Sequence, residues 1–161
     1  MRFYSFVNFY FQGIHAGIQT GHAVHQMESK YRNLLARQTA RPGGDPTEMW
    51  TKCLATYQEW SDVHKTIIVK KVSGADTHKA LRDLYGTLQD YARPMGLPCV
   101  LWHEPSCNNC NTAVGIVIPE SVYDCPEPTS YISNGLGEVL TDAWTPEYKL
   151  KRVLNNYSMA S

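Results

Sequence analysis

A long helical pattern over residues 14–38 places the strongest constraint on how this chain folds. On a helical wheel of about 100° per residue, its polar face carries His15, Gln19, His22, Gln26, Ser29, Lys30 and Asn33. The other face is mostly apolar, and its first part is built from small residues, Ala16 and Ala23, with Gly17 and Gly21 nearby. Small side chains let a helix approach a sheet closely, whereas a glycine otherwise costs a helix about 1 kcal/mol. The pattern therefore predicts a first helix whose start lies tightly against a sheet.

The rest of the chain alternates between strand-like and helix-like patterns. Runs rich in branched and aromatic side chains predict strands over 2–11, 65–72, 99–103 and 112–118. Apolar residues at helical spacing predict further helices over 46–62, 75–93 and 146–157, with a loop over 39–46. Strands separated by helices need crossover connections and form a mixed sheet covered by helices. We predict a single α/β domain over residues 1–123, with a four-stranded mixed sheet in the order β-α-α-β-α-β-β, and a C-terminal extension over 124–161 that packs on it.

Composition agrees with one ordinary domain in a reducing compartment. The chain has 161 residues, 43% of them hydrophobic, which is enough for a real core. No run approaches the roughly 18 apolar residues of a transmembrane helix. Its start lacks the basic region and cleavage site of a secretory signal, and five cysteines, an odd number, are typical of free thiols inside the cell. A cytoplasmic protein without membrane contact is therefore expected.

Charge is balanced overall but uneven along the chain. The 15 Lys and Arg residues match the 15 Asp and Glu residues. Residues 1–71 carry 9 basic against 5 acidic side chains, while residues 72–161 carry 6 against 10. Residues 1–71 are therefore the part of the chain more suited to bind a polyanion, although the overall charge does not indicate strong nucleic-acid binding.

The first helix and the last two strands resemble the type II peptidyl-tRNA hydrolases. That family opens with a strand and a Lys-Gly-Lys segment, followed by a helix of the form Ala-Ala-Gln-x-x-His-Ala. The stretch Gly13 to Val24 aligns with this pattern without gaps, and Gln19, His22 and Ala23 match it. The family also has an acidic residue after its third strand and a Thr opening its last strand, like Glu104 and Thr112 here. The resemblance covers about residues 3–120.

The sequence departs from the family pattern at several of its functional positions. Gly13 and His15 stand where the family has lysines, and Glu104 stands where it has Asp. The loop between that acid and the Thr is shortened to residues 105–110. A histidine replaces the charge of a lysine only when it is protonated, and an unperturbed histidine is mostly neutral at pH 7. If His15 takes the lysine's place, activity should rise toward mildly acidic pH.

The resemblance implies hydrolysis of the ester that joins a peptide to tRNA, without a cofactor. Such a reaction needs an oriented water, a proton acceptor and donors for the developing oxyanion. The implied catalytic residues are His15, His22, Glu104 and Thr112, where Glu104 orients or deprotonates the water and Thr112 binds the water or the carbonyl. The implied substrate-binding residues are Gln19, Gly13, Asn111, Lys30, Arg32 and Lys70, the last three as contacts to the tRNA backbone.

Two alternatives to a tRNA hydrolase are considered. The first is a fold relative that has lost hydrolysis and binds RNA, a nucleotide or a protein partner, which the missing lysines and the neutral charge favour. The second is a two-histidine phosphoesterase, suggested by His64-Lys65-Thr66, but no second His-x-Ser/Thr triplet occurs. Because the family is often dimeric, a homodimer is also expected.

Cys107 and Cys110 form a Cys-x2-Cys pair close to Glu104. Such a pair is a common zinc half-site, and His103 stands nearby, but the sequence offers no clear second half-site. A redox pair is the other alternative, although no following helix is predicted to lower a thiolate pKa. We expect a tight turn at Asn108-Asn109 carrying two thiols and no metal site.

Overall fold

A computed structural model describes residues 1–39, 48–127 and 144–160. The strands are β1 (Arg2–Asn8), β2 (Ile67–Val72), β3 (Cys99–Glu104), β4 (Cys110–Ile118) and β5 (Ser158–Met159). The helices are α1 (Ile14–Thr39), α2 (Glu48–Glu59), α3 (Thr77–Met95), α4 (Glu120–Tyr123) and α5 (Pro146–Asn155). A π-helical turn, Trp60–His64, extends α2, and a 3-10 turn, Pro105–Cys107, follows β3. Most of the loop predicted over 39–46, and part of the extension predicted over 124–161, lie outside the described residues.

One mixed sheet forms the centre of the molecule, with the strand order β3-β4-β1-β2-β5. β1 and β2 are parallel, and the other neighbours are antiparallel. The α/β class and the mixed sheet are confirmed, but the prediction of four strands is wrong. The fifth strand comes from the C-terminal extension, where Ser158 and Met159 pair with Lys71 and Lys70. A strand of two residues shows no periodicity, so the sequence pattern could not reveal it.

Several predicted boundaries shift in the structure. The first strand ends at Asn8 rather than at residue 11. The third helix continues through Pro94 to Met95 and ends at Gly96, whose left-handed conformation (φ 67°) closes the helix. A proline in the last turn removes only its own hydrogen bond, so it does not stop the helix at the preceding residue. The last long strand begins at Cys110, two residues before the predicted start.

Helices cover both faces of the sheet, and each face has its own buried cluster. On one face, α1 and α2 pack against Phe3, Val7 and Val117. On the other, α3 and α5 pack against Phe6, Ile116 and Ile118. Among the described residues, no helix has both the length and the apolar character needed to cross a membrane.

Gly115 in β4 lies where the Phe3 ring and Ala23 of α1 meet over the sheet. A Cβ at this position would lie 2.5 Å from Phe3 Cζ and 3.4 Å from Ala23 Cβ, so only glycine fits. Ala23 is fully buried at this contact. Gly17 and Gly21, by contrast, are exposed with open space around them. The predicted close packing of α1 is therefore found at Ala23, one of the small residues of the predicted apolar face, and not at Gly17 or Gly21.

Candidate active site around His22 and Glu104

A β-bulge between β3 and β4 turns Thr112 toward α1. Trp102 pairs with Ala113 and His103 pairs with Asn111, which leaves Thr112 as the extra residue of the bulge. A bulge interrupts the alternation of side chains, so that Thr112 faces α1 like its neighbour Ala113. Bulges often redirect a side chain beside a functional site. Here the bulge brings the Thr112 hydroxyl into contact with α1.

Gln19 connects Thr112 to Glu104 through its side-chain amide. The Thr112 hydroxyl donates to Gln19 Oε1 at 2.6 Å, and Gln19 Nε2 donates to Glu104 Oε2 at 3.1 Å. Both Thr112 and Gln19 are buried. Because the two ends of the amide have different partners, its orientation is fixed. Gln19 therefore holds the carboxylate of Glu104 in a set position.

Glu104 is kept ionised by the donors around it. The Ser106 hydroxyl donates to Oε1 at 2.8 Å, and the Gln19 amide and Trp102 Nε1 donate to Oε2. These hydrogen bonds, those of Ser106 and Gln19 above all, lower the pKa of Glu104 to about 2. A carboxylate with so low a pKa is a hydrogen-bond acceptor and a fixed negative charge at neutral pH, not a proton donor.

His22 lies directly beside this carboxylate. Its Nδ1 is 3.3 Å from Glu104 Oε2, and its ring packs at 5.0 Å from the ring of Trp102. Nδ1 is buried and has no partner of proper hydrogen-bond geometry among the described residues, although 42% of the side chain is exposed. Contacts of this kind are often loose before substrate binds. A neutral ring with its proton on Nδ1, facing the carboxylate, leaves Nε2 free to accept a proton.

His15 and Gly13 lie at the open start of α1. His15 precedes His22 by seven residues, which is two turns or about 10 Å along the helix on the same face. Its side chain is exposed and makes no contact with Glu104 or with another side chain of the described residues. Gly13 is exposed and has a positive φ of 52°, so it starts the helix in a conformation that favours glycine. Glu104 lies beside His22 and not beside His15.

Two of the predicted substrate contacts, Asn111 and Lys30, turn away from the cluster. Asn111 is buried on the opposite face of the sheet, where its Nδ2 donates to the His78 carbonyl at 2.9 Å. Lys30 donates to the Cys99 carbonyl at 2.9 Å and to the Tyr85 hydroxyl at 3.1 Å.

The other two predicted contacts to tRNA also have partners within the protein. Lys70 is buried, and its ammonium donates to the carbonyls of Leu154 and Tyr157 at 2.8 and 2.9 Å. Burial lowers the pKa of Lys70. Arg32 is exposed and pairs with Glu28 at 2.9 Å, one turn earlier in α1. Of the three basic residues predicted to contact tRNA, Lys30 and Lys70 bond to groups of the protein itself, and Arg32 is the exposed one.

Ser106 and Trp102 contribute to the site and were not predicted. Ser106 stands two residues after an acid, a spacing at which a serine hydroxyl and amide commonly bond the carboxylate. Trp102 shares a face with Glu104 because alternate residues of a strand point the same way. Both signals are present in the sequence, but each is too common to identify a site without the fold.

The Cys107–Cys110 segment forms the tight turn that was expected. Asn108 and Asn109 have positive φ values of 53° and 55°, a left-handed conformation that asparagine adopts more readily than most residues. Cys107 is exposed, Cys110 is half-buried, and both thiols are free. Within the described ranges, no group of three or more His, Cys, Asp and Glu residues is placed to hold a metal ion.

The sequence was compared with known protein families and with curated proteins. No family model matches it, and no curated protein does either. The function proposed below is inferred first from the geometry of Thr112, Gln19, Glu104 and His22.

Removing the Thr112 hydroxyl tests whether this network is built as described. Thr112→Val keeps the shape of the side chain but leaves the buried Gln19 Oε1 without its donor. We expect the free energy of unfolding to fall by about 1–3 kcal/mol, measured by urea denaturation. Thr112→Ser is the matched control, since it keeps the hydroxyl, and it should recover most of the loss. Equal stability of the valine variant and the wild type would contradict the network.

Proposed function

We propose that this protein hydrolyses carboxylic esters at His22 and Glu104, and that its substrate is the ester joining a peptide to tRNA. One observation carries the proposal: an ionised, immobilised carboxylate lies 3.3 Å from the buried Nδ1 of a half-exposed histidine. A carboxylate in this place orients the imidazole and stabilises the imidazolium that forms during proton transfer. It is the arrangement of a general base that has access to solvent.

The reaction proceeds in two steps at the exposed edge of His22. Nε2 accepts a proton from a water molecule as the water oxygen attacks the ester carbonyl carbon. The tetrahedral intermediate then breaks its bond to the ribose oxygen, which takes the proton from the imidazolium. The products are a peptide carboxylic acid and a tRNA with a free ribose hydroxyl. Glu104 remains ionised throughout.

Thr112 and Gln19 have a different part from the one the resemblance implied. The Thr112 hydroxyl donates a hydrogen bond to Gln19, and the Gln19 amide donates a hydrogen bond to Glu104. Both residues are buried, so they are positioning residues rather than groups that bind water or substrate. His15, exposed on the same face as His22, is suited to contact the tRNA end.

The choice of tRNA as substrate depends on the resemblance of residues 13–24, 104 and 112 to type II peptidyl-tRNA hydrolases. Gln19 and His22, which match the family pattern, are the two α1 residues that contact Glu104. The proposal includes action in the cytoplasm, where peptidyl-tRNA arises, and the formation of a homodimer.

Incubation with peptidyl-tRNA tests this function. Released tRNA is followed over time by acid-gel electrophoresis and compared with a buffer control. We expect release well above the control, and we expect it to continue when the protein is limiting. Release at the rate of buffer alone, from protein whose circular dichroism shows it folded, would contradict the proposal.

The second candidate function is binding without hydrolysis. In this case the protein is a fold relative that binds RNA, a nucleotide or a protein partner. This function is favoured by Lys30 and Lys70, whose ammonium groups bond to groups of the protein itself. It predicts binding of intact peptidyl-tRNA or another partner, with no release of tRNA in the same experiment.

A further inference from the structure

A cavity of about 230 Å³ lies between α1, α2, α3 and the start of β3, away from the cluster around His22. Lys30, at its wall, follows His22 by eight residues, or about 12 Å along α1. A dry cavity of about 150 Å³ holds benzene, whereas sites for drug-sized ligands occupy about 300–1,000 Å³. This cavity therefore suits a molecule of one ring and a short substituent.

The wall of the cavity is apolar and aromatic over most of its area. Its apolar lining includes Leu34, Met49, Trp50 and Leu97. Tyr31 closes one side, and its hydroxyl is already engaged with the backbone of Cys99. The thiols of Cys53 and Cys99 also line the cavity, and burial raises their pKa values to about 11 and 12, so both stay neutral. A polar molecule without an apolar body gains little here.

Two cations line the same cavity, and none of the described residues that line it carries a carboxylate. Lys30 uses two of its three ammonium hydrogens, on the Cys99 carbonyl and the Tyr85 hydroxyl, which leaves one donor. Arg93 is exposed and its guanidinium lies 5.9 Å from the Trp50 ring. Glu48 and Lys52 flank a neighbouring groove that Arg93 also lines, and no ion pair joins Arg93 to Glu48 among the described residues.

We propose that this cavity binds a small organic carboxylate with a single aromatic ring or an apolar body of similar size. The ring lies among Trp50, Leu34 and Leu97, and the carboxylate faces Lys30 and Arg93. A guanidinium and an ammonium supply charge-assisted hydrogen bonds to a carboxylate. The site is independent of ester hydrolysis at His22, and it needs no part of that function to be correct.

Titration with phenylacetate tests the proposal. The indole N–H signal of Trp50, assigned by its loss in Trp50→Phe, is followed by NMR in isotope-labelled protein. We expect a saturable shift with Kd below about 1 mM, and at least about tenfold weaker binding of the neutral amide phenylacetamide. No saturable shift up to about 10 mM, or equal binding of acid and amide, would overturn the proposal.

Two variants test where in the cavity the carboxylate of phenylacetate binds. Arg93→Gln removes one of the two cations, and because Arg93 is exposed the fold should remain intact. We expect it to weaken phenylacetate binding by about fivefold, the upper end of the range for a partly exposed charge pair. Lys52→Gln is the matched control, since Lys52 lines the neighbouring groove and not this cavity, and it should leave the affinity unchanged. A larger loss in Lys52→Gln than in Arg93→Gln would place the anion in that groove and overturn the assignment.

Discussion

Replacing His22 with glutamine is expected to lower the rate of peptidyl-tRNA hydrolysis by about 10²–10⁴-fold. Glutamine keeps a donor that can face Glu104, but it has no nitrogen able to accept a proton from water. Because 42% of the side chain is exposed, the substitution should change the free energy of unfolding little. The rate is measured with saturating substrate, and folding is checked by circular dichroism.

His25→Gln is the matched control for this variant. His25 lies one turn further along α1 and is exposed, and it makes no contact with Glu104. Its replacement should leave the rate of hydrolysis unchanged. A wild-type rate in His22→Gln would contradict the assignment of His22 as the base, and equal losses in both variants would indicate a general effect of charge on α1.

Replacing Leu154 with alanine is expected to lower the free energy of unfolding by about 2–5 kcal/mol. Leu154 is 1% exposed and belongs to the buried cluster formed by α3 and the sheet. Truncation leaves a cavity that the surrounding side chains fill only in part. The Leu154 carbonyl that accepts from Lys70 belongs to the backbone, so the variant changes packing and keeps that hydrogen bond.

Asn155→Ala serves as the control, because Asn155 is the exposed neighbour of Leu154 in α5. Its effect should stay within about 0.5 kcal/mol. Urea denaturation of both variants gives the comparison. A loss below about 0.5 kcal/mol in Leu154→Ala would mean that the C-terminal extension packs on the domain without being part of its core.

The order of elements and the faces of α1 were predictable because they depend on periodicity. Ala23 and Met27 recur at helical spacing and are fully buried, while His15 and His22 keep part of their surface in water. Residue spacing determines which side of a helix is apolar. It does not determine which of several small residues lies against the sheet: Ala23 meets Gly115 there, whereas Gly17 and Gly21 are exposed.

The bulge at Thr112 was not predictable from alternation. A regular strand would put Asn111 and Ala113 on one face and Thr112 on the other. The extra residue places Thr112 with Ala113 instead. The resemblance pointed to Thr112, but only the register shows how its hydroxyl comes within 2.6 Å of Gln19.

The hydrogen-bond partners of Lys30 and Lys70 were also not predictable from the sequence. Lys30 falls on the polar face of α1, and Lys70 stands in a strand beside another lysine, so both were predicted to contact tRNA. In the structure their long side chains carry the ammonium groups to carbonyls of distant segments, Cys99 and Leu154. Such partners are 69 and 84 residues away in the chain, and a local pattern contains no sign of them.

The pH dependence of hydrolysis tests most directly whether the His22 imidazole, positioned by Glu104, removes the proton from the attacking water. With the pKa of Glu104 near 2, its carboxylate stays ionised above about pH 4. Single-turnover rates of the wild type, corrected for buffer hydrolysis, are measured between about pH 4.5 and 8, the range in which histidines titrate. The assignment of His22 as the base predicts a rate that falls toward acid pH, because a general base that already carries a proton cannot accept one from water. A rate that is flat or rises toward acid would contradict it, and a rise would return the main role to a protonated His15.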